Sequence, residues 1–130
     1  MRMLSSLYLP FRRAFSCCPS GNTAIYEVAV RFNDTSVKDE YKKWLTSKHI
    51  QEVLHFPGFL SAELQPVYEN GDSSGAAGVV VKYTLESVQV FEEYNKSEVA
   101  KKLRSDALEL FGDKFTASRK VLLSGDVFYK

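Results

Sequence analysis

Acidic residues are absent from the first 26 positions of this 130-residue chain, although the whole carries sixteen of them against seventeen Lys and Arg. Cysteine is scarce too. Cys17 and Cys18 are the only two and are adjacent, which excludes a disulfide framework. No Cys or His follows nearby at ligand spacing to make a zinc site, and the pair is assigned no role. No apolar run is long enough to cross a bilayer, so no membrane partner is expected. The net charge of +1 supplies no polybasic surface for nucleic acid. A phosphate loop is missing as well: Gly71, Gly75 and Gly78 lack both the lysine and the strand-to-helix setting. No Ser–His–Asp set is present. What remains, with 45% apolar and 25% charged residues, is the composition of one globular domain.

The acid-free stretch is a distinct segment. Residues 1–23 contain Arg2, Arg12, Arg13 and four serines, Ser5, Ser6, Ser16 and Ser20. Arg-rich, Ser-rich and acid-free is the composition of an organellar transit peptide, which a negative-inside matrix attracts and which carboxylates would hold back. Arg13-Ala14-Phe15-Ser16 also matches the mitochondrial processing pattern. A secretory signal fits less well, because the apolar core 4–9 is interrupted by Ser5 and Ser6 and ended by Pro10. The expected location is the mitochondrial matrix or another organelle. Residues 24–130, where 14 basic face 16 acidic residues, form the expected domain.

Within that body, residues 25–32 alternate apolar and polar, the mark of a half-buried strand. Ser36 and Asp39 have capping-box spacing for a helix over 37–54 that buries Val37, Tyr41, Trp44, Leu45 and Val53. Pro57-Gly58 stops it. Strands are expected over 59–69 and 79–85, joined by the glycine-rich, mobile loop 70–78. A short helix over 87–94 precedes one capped by Ser97, in which Val99, Leu103, Ala107, Leu110 and Phe111 recur at helical spacing. Gly112 ends it, and residues 115–123 make the last strand. The order is ferredoxin-like βαββαβ: an α+β fold with a four-stranded antiparallel sheet and helices on one face.

Strand parity separates the two sheet faces. One collects Tyr26, Val28, Val30, Phe32, Leu60, Ala62, Leu64, Val79, Val81, Tyr83, Phe115, Ala117, Val121 and Leu123, and should meet the helices. The other mixes Glu27, Arg31, Glu63, Lys82 and Lys120 with Ala29, Val80 and Leu122. A nearly charge-balanced, partly apolar face suits burial against a second copy, so a homodimer is expected.

Trp44, His49-Ile50, Val53, Phe59, Tyr83, Leu103-Arg104 and Phe111-Gly112-Asp113-Lys114-Phe115 resemble a family of uncharacterised bacterial proteins in the dimeric α+β barrel superfamily. The resemblance covers about residues 25–123. It implies the dimeric barrel fold. That superfamily includes cofactor-independent quinol-type monooxygenases, haem-degrading oxygenases, lactone isomerases, chlorite-dismutase-like enzymes and members of no known activity.

His49 is the most informative residue. It lies about 40° around the helix from both Leu45 and Val53, inside the arc that faces the sheet. An imidazole there either handles a proton or ligates haem in a pocket, or is a structural histidine bonded to a strand. Arg119 falls on the apolar face between Ala117 and Val121, where it either pairs with an anion or extends to the rim. Trp44, Tyr41 and Tyr83 are core aromatics or, where a pocket exists, its ligand-binding walls. His55 reads as a C-terminal helix cap. Two functional readings follow. One is a mitochondrial homodimer handling a small organic molecule, a cofactor-independent oxygenase or isomerase in which His49 and Arg119 act. The other is a non-catalytic module that binds a ligand or haem, or joins an assembly, on the same fold.

Overall fold

The computed structural model describes residues 23–130, so the transit peptide expected over 1–23 lies outside the described residues, Thr23 excepted. Strands β1 (Ala24–Phe32), β2 (Phe59–Pro66), β3 (Gly78–Leu85) and β4 (Phe115–Leu123) form one antiparallel sheet in the order β2-β3-β1-β4. Since β1 and β2 both run antiparallel to β3, they are parallel to each other and need a helical crossover. That crossover is a 3₁₀ turn (Thr35–Val37), α1 (Lys38–Trp44), a π-helical turn (Leu45–His49) and α2 (Ile50–Leu54), continuous as one rod. Helices α3 (Val88–Lys96) and α4 (Glu98–Phe111) make the second crossover, from β3 to β4. The architecture is the expected ferredoxin-like α+β sandwich with helices on one sheet face.

The core is the covered face. Tyr26 and Val30 of β1 and Val79, Val81, Tyr83 and Leu85 of β3 are buried against Tyr41, Leu45 and Val53 of the rod and Tyr94, Leu103 and Phe111 beyond it. Leu85, Val53, Val79 and Val81 are the largest side chains sealed completely, each contributing roughly 1.5–3 kcal/mol by leaving water. On α4 the buried stripe is Ala100, Leu103, Ala107 and Phe111. Val99 and Leu110, expected within it, are exposed, because spacing of three and four from Ala100 selects the other positions. Ser97 caps α4 as expected, its hydroxyl accepting from the Ala100 N–H at 3.1 Å.

Three local expectations are corrected. Ser36 and Asp39 form no capping box: the chain enters through a 3₁₀ turn capped by Asp34, whose carboxylate accepts from the Ser36 N–H at 2.9 Å. Leu60 is not on the covered face. Phe59 faces Leu85 and Ser61 faces Thr84, so Leu60 is the extra residue of a bulge; it turns outward, and Phe59 is buried instead. The third concerns the far end of β2, which stops at Pro66 rather than residue 69. Beyond it the chain closes a tight turn in which Glu69 and Asp72 exchange backbone hydrogen bonds of 3.1 and 2.9 Å. Asn70 (φ 51°) and Gly71 (φ 80°) take the left-handed conformations such a turn requires. Gly78, opposite Arg31, lies so close to β1 that a Cβ there would strike the Val30 carbonyl.

On the open face, Glu63 is opposite Lys82, Lys82 opposite Glu27, and Glu27 opposite Lys120. One row across the sheet therefore alternates in sign from edge to edge, with Lys120 Nζ 3.5 Å from Glu27 Oε2. Leu123, counted with the covered face by parity, is largely exposed at the end of β4.

Candidate functional site

The rod places His49 through a turn that simple periodicity does not reveal. In an uninterrupted α-helix, residues five apart diverge by about 140°. The π turn brings them together: the Ile50 N–H reaches the Leu45 carbonyl, and the Trp44 and His49 rings stack at 4.3 Å and 22°. Single π turns inside helices are frequent at functional sites. Trp44 in turn meets Tyr41 at 5.5 Å and Phe111 at 5.6 Å. It therefore stands behind the imidazole and holds its plane, rather than lining the space in front of it.

That space is a cavity of about 40 Å³ between helices and sheet. Tyr26, Tyr41, Tyr83, Tyr94 and His49 reach it, with Arg104 and Arg119 on its α4 and β4 sides. Strand register explains the convergence. Tyr26 pairs with Tyr83, their rings stacked at 5.7 Å, and Val28 pairs with Arg119. Arg119 thus occupies the covered face that parity assigns it, with no bulge in β4 to displace it, and remains exposed at the rim.

Burial sets the protonation states. It pushes the His49 pKa down to about 4; Asp106 opposes this, and Arg119 and Lys48 add to it. Burial likewise lifts the Tyr41 and Tyr94 hydroxyls to about 12 and raises that of Tyr83. At neutral pH the cavity therefore presents an uncharged imidazole and protonated phenols, with guanidinium charge at its edge. The His49 Nδ1 is sealed and has no partner among the described residues, as are Trp44 Nε1 and Glu52 Oε1 on the same rod. An orphaned buried group costs roughly 1–3 kcal/mol, which asks for an explanation. No hydrogen bond joins His49 to a strand among the described residues, and sealing of Nδ1 leaves Nε2 as the nitrogen that can reach a ligand. His55, at the end of the rod, bonds through Nδ1 to the Gln51 carbonyl at 3.0 Å and stays outside the site.

Nothing in the sequence marks Arg104 as a site residue, because Lys101, Lys102, Asp106 and Glu109 around it have the mixed charge of a solvated helix face. Its guanidinium instead donates to the Tyr26 hydroxyl at 3.3 Å and to Asn95 Oδ1 at 2.9 Å, and lies 6.0 Å from the centre of the Tyr94 ring. Lys102 and Asp106 pair with each other at 3.2 Å. Among the described residues no three His, Cys, Asp or Glu side chains are grouped to hold a metal ion. A cavity of 40 Å³ takes one or two water-sized groups. It does not fit a porphyrin.

The fold recurs in solved structures. A monooxygenase from the gene ActVA-Orf6 of Streptomyces coelicolor, solved with the ligand nanaomycin D, is 17% identical with a TM-score of 0.59, over 84% of this chain and 93% of that one. SnoaB, a cofactor-independent oxygenase from Streptomyces nogalater, is 11% identical with a TM-score of 0.54, over 84% and 99%. A hydroxynitrile lyase from Passiflora edulis is 12% identical with a TM-score of 0.60, over 85% and 100%. At such identities the likeness is one of fold alone, and that fold carries oxygenases and a lyase alike. No curated protein sequence matches the chain. Residues 23–124 match the family model described as Domain of unknown function (DUF4286), and the chain belongs to that family.

Proposed function

We propose that this protein is a small-molecule-handling homodimer of the mitochondrial matrix, and that the pocket between the helical rod and the sheet carries cofactor-independent oxygenase or isomerase chemistry. The observation behind the reading is a neutral, inward-facing His49 beside tyrosine hydroxyls, with Arg119 on the same sheet face. His49 takes a proton from a phenolic or enolisable substrate. The anion left behind is held by Arg119 and, lying beside the ring, raises the imidazole pKa so that the proton is retained. Returning that proton to a second carbon completes an isomerisation. Alternatively the anion reacts with dioxygen to give a hydroperoxide, the proton returning from His49, and loss of water leaves C=O where CH₂ stood, the substrate supplying all four electrons that reduce O₂.

Solved oxygenases of the same fold support the chemistry. The alternating row on the open face supports the dimer. A twofold axis parallel to the strands reverses the row, setting Glu63 and Glu27 of one copy against lysines of the other. Val127, Phe128 and Tyr129 of the exposed C-terminal tail add apolar surface for a partner. Matrix import rests on the composition of residues 1–23; fused to a reporter, they should carry it into mitochondria. A second reading, a non-catalytic binding module, is favoured by the small volume of the inner cavity.

Anthrone separates the two readings, since its oxidation to anthraquinone consumes one O₂ and releases one water. Trp44 is the sole tryptophan, so quenching of its fluorescence reports binding beside His49. The expected result is saturable quenching with oxygen uptake that falls about 100-fold in His49→Asn. Quenching without uptake would remove the oxygenase, and failure of the bound anthrone to exchange its methylene hydrogens with deuterated water would then remove the isomerase and support the binding module. Neither signal would contradict both readings.

A further inference from the structure

Two arginines flank the seam where α4 passes β4. Arg104 and Arg119 line the inner cavity and also a surface groove of about 350 Å³ on the outer side of the seam. Neither guanidinium lies within 4 Å of a carboxylate among the described residues, unlike Arg31, which pairs with Glu69 at 2.8 Å. The partners of Arg104 are neutral, a phenol and an amide. Among the described residues the Arg119 guanidinium makes no hydrogen bond, yet its charge reaches His49, Tyr41 and Tyr94. Asp106, a nearby carboxylate, is held by Lys102. The seam therefore carries two positive charges that nothing among the described residues neutralises.

The walls between them are apolar: Ala107, Leu108, Phe115 and Ala117. A volume of 350 Å³ falls within the range that holds a small organic ligand, whereas the inner 40 Å³ admits only a head group the size of one or two waters. From these sizes the orientation follows. The body of a ligand lies along the groove, and its head points inward.

We infer that the α4–β4 seam binds an aromatic anion, its carboxylate or phenolate held between Arg104 and Arg119 and its ring on Leu108 and Phe115. This rests on the small-molecule reading above and adds the chemical class and the point of entry. A planar guanidinium matches a carboxylate with paired hydrogen bonds, and a phenolate oxygen can accept one from each arginine. The head also arrives beside His49 and the tyrosine hydroxyls, where a proton can be exchanged.

The test uses two fluorescent probes with one ring system, 1-anilinonaphthalene-8-sulfonate and its uncharged analogue N-phenyl-1-naphthylamine, titrated into the purified chain. The anionic probe should bind about tenfold or more tightly. Arg119→Gln should erase that advantage while leaving the neutral probe within about twofold, Arg119→Lys should restore part of it, and Arg104→Gln should act in the same direction. Leu108→Asp should weaken both probes. Circular dichroism checks that each variant is folded. Equal affinities for the two probes in the unaltered chain, or an anionic-probe affinity indifferent to both arginines, would overturn the inference while leaving the small-molecule reading intact. So would arginine variants that weaken only self-association, which would assign these charges to a second copy. If neither probe binds and anthrone does not either, the small-molecule reading falls as well.

Discussion

The two faces of the sheet treat charge in opposite ways. On the open face Glu63, Lys82, Glu27 and Lys120 stand side by side with alternating sign, and nearby Arg31 holds Glu69 with both carboxylate oxygens within 2.9 Å. On the covered face Arg119 stands opposite Val28 with no carboxylate within 4 Å among the described residues, and half-buried His49 has a sealed Nδ1 without a partner. Proteins ordinarily match charges they bring together, because an unmatched one raises the free energy of the fold. A face that satisfies itself is built for structure or for a copy of itself. A face that leaves polar groups unsatisfied beside a cavity keeps hydrogen-bonding capacity free for a ligand.

The contrast can be broken from either side. Leu85→Ala, on the covered face, should destabilise the chain by about 3 kcal/mol in urea unfolding, independent of protein concentration if it acts on the core alone. Acid should act nearly as strongly through His49. The unfolded chain takes up a proton near pH 6.5, whereas the folded one resists it until about 4. Stability from this residue is therefore complete above 6.5 and lost as the pH falls toward 4, by about 3 kcal/mol, a dependence His49→Asn should lack. On the open face, Lys82→Glu puts like charges in the row. It should weaken self-association about 100-fold by light scattering while changing the unfolding of the separated chain by less than about 1 kcal/mol. Ser97→Ala removes the cap of α4 and should cost about 1 kcal/mol. Smallest of all, Leu122→Ser on the half-exposed open face should alter unfolding of the separated chain by less than about 0.5 kcal/mol.

Period-two alternation made the covered face legible, because a strand side chain has only two directions to choose from. It placed Arg119 correctly, since β4 runs opposite β1 without a shift from residue 115 to 123. The same rule failed at Leu60, where one inserted residue reverses the parity and nothing in Phe59-Leu60-Ser61 announces it. Helical periodicity brought His49 inward but missed its stacking on Trp44, which depends on a π turn. Arg104 escaped notice because a charge flanked by opposite charges looks solvated. Only the contact with Tyr26, 78 residues away, draws it into the site.

The central claim is that the His49 ring lies uncharged beneath the helices, and its titration tests this most directly. Carbon-bound ring protons of His49, assigned by comparison with His49→Asn, can be followed by NMR from pH 8 to pH 3.5 with circular dichroism reporting the fold. The account predicts a midpoint near 4 while the chain is still folded, with Trp44 fluorescence changing over the same interval because the rings are stacked. A midpoint near 6.5, the value of a histidine in water, would contradict it and place the ring in contact with solvent rather than beneath the helices.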